Sequence, residues 1–238
     1  SLDLFLVKEE YPDLNAAAFN AWCKTQEHLA SGVRRIRMLE VLAFCVYRHR
    51  TEPQCFLPDP RLFPPYHQRI RPHIFTESEI ARLLMAASSM KSNPSTPLRP
   101  ELTRLAIVLL FTTGIRRGEL LNLTEGDYNR QEATLHIRQA KFYKARLLPI
   151  HEGIGKEIEQ YLNARAKLNL ASSATTPLMW NARQGGRAYT GTGIFYCIKP
   201  LLHQCVIRAA SGLSPRIHDF RHSFAVNALL RWYRAGTD

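Results

Sequence analysis

Leu213-Ser-Pro-Arg-Ile-His218-Asp-Phe-Arg221-His222-Ser-Phe-Ala225 concentrates cationic and titratable side chains at the mouth of an otherwise apolar helix. Ser214 and Pro215 mark the N-terminus, Pro215 suiting a first turn where its missing N–H costs nothing. Phe220, Phe224, Ala225, Ala228 and Leu229 recur at the spacing of one helical face, which predicts a buried stripe. His218, Arg221 and His222 stand three or four residues apart, so they line up at the positive end of the helix dipole. The anion expected there is a phosphate.

An isolated His-x-x-Arg is equally compatible with a capped histidine and a surface ion pair. Two further stretches change that reading. Phe111-Thr-Thr-Gly114-Ile-Arg116-Arg117-Gly-Glu119-Leu-Leu-Asn-Leu123 sets two arginines after a glycine break. Lys141-Phe-Tyr-Lys144-Ala-Arg146-Leu-Leu-Pro149-Ile150 sets two lysines ahead of a strand. In this order the three stretches together resemble the catalytic domain of the tyrosine recombinases, also called the phage integrase family. The resemblance spans roughly residues 76–238.

Composition agrees with such a protein. At 238 residues and 45% hydrophobic, the chain holds one large or two modest domains with a real core. A formal net charge of +12 favours a polyanionic partner, of which nucleic acid is the commonest. The apolar run Leu105 to Phe111 is too short to span a bilayer, and the first residues have no secretory pattern. No membrane partner is expected, and the chain reads as cytoplasmic, nucleoid-associated if bacterial. Cys23, Cys45, Cys55, Cys197 and Cys205 are odd in number and lack a C-x-x-C pair, which argues against a disulfide framework or a zinc site. Neither a metal nor another cofactor is expected.

The period of the apolar residues predicts helices over 12–29 and 32–49, the second carrying Arg34, Arg35 and Arg37. Prolines between Pro53 and Pro72 exclude a long helix and mark a linker. Thr76-Glu-Ser-Glu79 is a capping box that opens a new domain. A nearly all-apolar helix follows over 102–111, broken at Thr113-Gly114, then a short helix carrying Glu119. From Asp127 to Ile150 the period changes to two, giving a small antiparallel sheet. Helices return over 152–168, after Thr190, and from Pro215. The fold class is mainly α with a small antiparallel β-sheet. The resemblance divides it into a helical core-binding domain over 1–65, abbreviated relative to the family's usual one, a linker over 66–75, and a catalytic domain over 76–238.

Attack on a DNA phosphodiester raises the charge on the nonbridging oxygens of a five-coordinate phosphorus, so fixed donors around it act mainly on the transition state. Guanidinium groups suit this because they are planar, permanently charged and present paired N–H groups. The resemblance assigns Arg116 and Arg221 as the catalytic arginines, His218 as the proton-handling histidine, and Glu119 as the acidic residue accompanying Arg116. It assigns Lys141 to protonate the departing 5′ oxygen, with Lys144 as the close alternative. Arg117 is the rival of Arg116; the register from Gly114 favours Arg116, and Arg117 is expected to point elsewhere, toward a neighbouring phosphate. Arg34, Arg35, Arg37, Arg117, Lys144 and His222 are the expected DNA-binding residues.

The family carries a further His or Trp and then a nucleophilic Tyr beyond this helix. Tyr233 lies too close to Arg221 on the same helix to serve, and Trp232 reads as helix packing. No nucleophile is therefore assigned, and the chain is read as truncated before it. The resemblance implies a metal-free recombinase that joins DNA through a covalent phosphotyrosine and acts as a homo-oligomer, a tetramer, on double-stranded DNA. Three alternatives stay open: a non-cleaving DNA-binding protein that keeps the clamp, a type IB topoisomerase, and a helical interaction protein whose charge is incidental.

Overall fold

A computed structural model describes residues 1–65, 71–138, 145–182 and 185–236 of the chain. Its contacts divide into two units, Ser1–Ile70 and Arg71–Asp238, each with its own apolar core.

The first unit contains α1 (Leu2–Lys8), α2 (Ala16–Thr25) and α3 (Ser31–Arg48). Seven residues without one fully buried side chain leave no helical period to read, which is why α1 was not anticipated. The helix expected over 12–29 is shorter because Asn15 caps it, its side chain accepting from the Ala18 N–H at 2.9 Å. Ala18, Phe19 and Trp22 of α2 and Met38, Val41 and Cys45 of α3 form the core with Phe63.

The second unit opens with the expected capping box. The Thr76 hydroxyl accepts from the Glu79 N–H at 3.2 Å and the Glu79 carboxylate from the Thr76 N–H at 2.9 Å, starting α4 (Glu77–Ser88). Next come α5 (Arg99–Thr113) and α6 (Arg117–Asn122), then a sheet of β1 (Tyr128–Asn129), β2 (Thr134–Ile137) and β3 (Arg146–Pro149) in that spatial order, antiparallel throughout. α7 (Glu152–Lys167) leads to a hairpin of β4 (Trp180–Asn181) and β5 (Arg187–Ala188) too short to have shown alternation in the sequence. α8 (Gly191–Gln204) and α9 (Ile217–Arg234) complete the unit. The molecule is mainly helical with small antiparallel sheets. Among the described residues no helix is long and apolar enough to cross a membrane.

α5 is the hub. Leu102, Leu105, Ile107, Leu109 and Leu110 are all essentially inaccessible, and α4, α6, α7, α8 and α9 all contact the helix. A helix surrounded in this way needs apolar residues on every face, which explains why it shows no single stripe. It ends at Gly114, whose backbone is left-handed (φ +60°).

Two expectations for α9 need correction. Its first helical residue is Ile217, with Arg216 as N-cap and Pro215 just outside, because the Asp219 carboxylate accepts from the Arg216 N–H at 2.9 Å and sets the cap there. Its apolar face is buried only in its first two turns, where Ile217, Phe220 and Ser223 lie in the core; Leu229 and Trp232 are each 61% exposed, so Trp232 is not a packing residue within this chain. Phe220 stacks on Phe75 at 4.3 Å, and the Ser223 hydroxyl accepts from the Phe75 N–H at 2.8 Å. These contacts hold the start of α9 and leave its later turns outside the core.

A Cβ on Gly114 would lie 2.3 Å from the Phe224 ring, on a backbone that L residues already adopt at a cost. Gly114→Ala should therefore destabilise the protein by about 2–4 kcal/mol, read as a lower urea midpoint with unchanged slope. An unchanged midpoint would show that α9 is not seated against Gly114 as described.

Candidate active site

The turn after α5 places Arg116 at the N-cap of α6, and the next contacts follow from that position. The Arg116 N–H donates to Glu119 Oε2 at 2.9 Å, and its Nη1 donates to Glu119 Oε1 at 2.8 Å. The Glu119 side chain is only 3% exposed. A buried carboxylate needs compensating charge. Arg146 supplies the rest, its Nη2 donating to Oε2 at 2.8 Å and its Nη1 to Oε1 at 3.2 Å, a two-pronged fork. Burial alone would raise the Glu119 pKa, but the Arg146 hydrogen bonds and the Arg116 backbone and side-chain bonds together pull it down to about 2.

β3 explains how Arg146 gets there. It pairs with Ile137, and residues directly opposite in an antiparallel pair face the same side of the sheet. Ile137 is buried, so Arg146 points inward with it toward α6.

α9 repeats the device of α6. Arg216 is the N-cap, Asp219 the third helical residue, and the buried Asp219 carboxylate accepts from the Arg216 N–H at 2.9 Å and from its Nη2 at 2.8 Å. One turn on, Arg221 reaches back to α5, its Nη1 donating to the Gly114 carbonyl. Burial and then the like charge of Arg116 lower the Arg221 pKa, Glu119 opposing and Arg146 adding to the effect. Arg221 still stays a guanidinium cation, and these couplings put all four groups in one neighbourhood. Burial, followed by His222, Arg221 and Arg216, lowers the His218 pKa against the pull of Asp219. The imidazole is therefore neutral at neutral pH and able to accept a proton. His222 lies edge-on to it, ring centres 4.7 Å apart.

Beside these groups is a cleft of about 580 Å³ lined by Arg116, Arg117, Gly118, Phe195, Arg216, Ile217 and His218. Three guanidinium groups around one carboxylate leave a surplus of positive charge, already oriented, for a tetrahedral or trigonal-bipyramidal oxyanion.

The sequence pattern of the phage integrase family matches residues 73–231. The chain belongs to this family. A putative integrase/recombinase of Sinorhizobium fredii, y4rB, is 32% identical over 236 residues, covering 98% of this chain and 74% of the relative. The tyrosine recombinase XerA of Thermococcus kodakarensis is 28% identical over 71% of this chain and 53% of its own length, so the chain spans about half of that relative. The fold is similar to that of the XerH site-specific recombinase bound to its difH substrate, with a TM-score of 0.69 at 16% identity, covering 98% of this chain and 66% of that one.

Of the residues expected from the family motifs, Arg116, Glu119, His218 and Arg221 come together although the first pair, Arg116 and Glu119, lies far from the second in sequence. Arg117 is exposed, lies against Gly191 and lines the same cleft as Arg116. Lys141 and Lys144 lie outside the described residues. In the first unit, Arg35 Nη1 donates to the Pro64 carbonyl at 3.0 Å and Arg37 Nη1 to Gln26 Oε1, while Arg34 is half-buried on α3. Arg146 was missed as a site residue. Its signal was available in the alternation of Arg146, Leu148 and Ile150 on the inner side of a strand, where an arginine requires a buried anion.

Because the folded Glu119 pKa lies below the ordinary carboxylate value, its contribution to stability is fully present above pH ~4.5 and is lost as pH falls toward 2. Arg146→Met should raise that pKa and move the loss to higher pH, read in melting temperatures between pH 2 and 7 and in the Glu119 carboxyl titration by NMR. Identical acid limbs in the two proteins would refute the role given to Arg146 in keeping Glu119 ionised.

Proposed function

We propose that this chain is the DNA-cutting and rejoining part of a site-specific recombinase, and that Arg116 and Arg221 grip the phosphodiester to be cut. The observation that carries this reading is the convergence of the two arginines: Arg116 is locked by the buried Glu119 and Arg221 by the Gly114 carbonyl, two residues before Arg116. Groups fixed before the reaction need no reorganisation as charge develops on phosphorus, which is where electrostatic catalysis gains most. Membership of the phage integrase family, and similarity to an integrase/recombinase and a tyrosine recombinase, support the same reading.

In the proposed reaction a tyrosine hydroxyl attacks phosphorus, the bond to the 5′ oxygen breaks, and a 3′-phosphotyrosine forms. Arg116 and Arg221 bind the nonbridging oxygens, the neutral His218 takes part in handling the nucleophile's proton, and Lys141 protonates the departing 5′ oxygen. A 5′ hydroxyl attacking the phosphotyrosine reverses these steps and reseals the strand, so no external energy is consumed. Tyr233 is twelve residues beyond Arg221 on one helix, about 18 Å along its axis, and it is 85% exposed. No tyrosine lines the cleft among the described residues, and this reading assigns the nucleophile to none of them. In this reading the first unit contributes Arg34, Arg35 and Arg37 to the duplex, and the working assembly is a tetramer on DNA in the cytoplasm.

The second reading is a non-cleaving DNA-binding protein, favoured by that same lack of a tyrosine in the cleft. The two are separated with a nicked duplex that traps covalent protein–DNA adducts, using the full-length gene product. Adducts are expected from the wild type, with a loss of at least ~100-fold for Arg116→Ala and Arg221→Ala at largely retained DNA affinity, and little recovery with lysine at either position. Absence of adducts from the wild type supports the binding reading, and substantial cleavage by the double mutant sinks the assignment of the clamp.

A further inference from the structure

The cleft beside the clamp contains two arginines that the proposed chemistry does not use. Arg216 is held by the buried Asp219 along one edge, its Nε donating at 3.2 Å and its Nη2 at 2.8 Å to Oδ1. Its Nη1 makes no hydrogen bond among the described residues and the side chain lines the cleft at 47% exposure. Arg117 enters the same cleft from the first position of α6. It makes no ion pair or hydrogen bond among the described residues, yet it is not loose: its guanidinium lies in a notch over Gly191, where a Cβ would come within 2.9 Å of Nε and 3.0 Å of Cζ. Phe195 forms an apolar wall of the same cleft.

Two oriented cations facing one cleft, without a carboxylate of their own turned to neutralise the free edges, repel each other and favour an anion between them. The cleft shares Arg116 with the clamp, so an anion there is continuous with whatever Arg116 and Arg221 hold. A nucleic-acid strand presents its charges in that manner, one phosphate after another.

We propose that Arg117 and Arg216 form a second phosphate seat, for the phosphodiester next to the one gripped by Arg116 and Arg221 on the same strand. The proposal rests on the DNA reading given above and adds to it a register device. One clamp alone lets a strand pivot about the gripped phosphate, whereas two adjacent seats fix its direction and the angle at which the scissile bond meets the nucleophile. Such contacts carry no base information, and they position a site that other contacts select. The His218 imidazole lines the same cleft, and Arg216 is one of the charges that lower its pKa.

The test is the salt dependence of duplex binding by the 238-residue chain, using a DNA of arbitrary sequence. Each phosphate contact contributes close to one to the slope of log affinity against log salt, so Arg117→Gln and Arg216→Gln should each lower it by about one, and the double variant by about two. Arg117→Lys should keep the slope, since the charge remains, which separates loss of a phosphate contact from a packing defect. Arg216→Gln leaves Asp219 without its guanidinium, so its melting temperature is measured alongside; Arg117 has no such partner, and its variant decides the matter if the other fails to fold. A steep wild-type slope retained by the Arg117→Gln variant overturns the seat and leaves the DNA reading intact. A wild-type chain with no steep salt dependence overturns both together.

Discussion

Glu119 is the constraint from which the geometry of the site follows. A carboxylate this deeply buried is tolerable only with cations held against it, and it takes two, Arg116 from the α5–α6 turn and Arg146 from β3. The arrangement is reciprocal. Each guanidinium gives up entropy by being locked, and in exchange the carboxylate stays ionised and the two arginines can sit near Arg221 without the full cost of like-charge repulsion. Removing the acid would leave three cations in mutual repulsion, and removing either arginine would leave a poorly compensated anion. The sheet is small, yet its register decides whether Arg146 faces this carboxylate or the solvent.

The second constraint is steric. Gly114 ends α5, turns the chain toward Arg116, admits the Phe224 ring where a side chain would stand, and offers its carbonyl to Arg221. One residue thus couples the ends of α5, α6 and α9. α5 itself is surrounded by other helices, so that joint rests on the best-packed part of the second unit. Arg116 and Arg221 sit at helix starts supported by this core, an arrangement that lets a group be both accessible and rigid.

The use of the same cap at α6 and α9, an arginine followed three residues later by a buried acid, links local structure to function. In both helices the acid satisfies the arginine's own N–H and holds its guanidinium, so the capping energy and the orientation of a cation come from one side chain. An ordinary Ser or Thr cap would start the helix equally well and orient no charge. The family relationship fits a substrate whose recognition begins with phosphates, and the likeness to XerH is a likeness of fold.

By itself the sequence determined the class of the protein, the order of its main helices, the break at Gly114 and the capping box at Thr76, because caps, periods and glycine breaks are local rules acting within one turn. The family resemblance singled out Arg116, Glu119, His218 and Arg221 together, and the structure brings the four into one neighbourhood. What only the tertiary structure decided is which charges meet. Arg146 joins Glu119 across 27 positions through strand register, Arg221 reaches Gly114 across 107 through helix packing, and Arg117 settles in a notch over Gly191. Register and packing depend on the whole core closing at once, and no short window of residues contains that information.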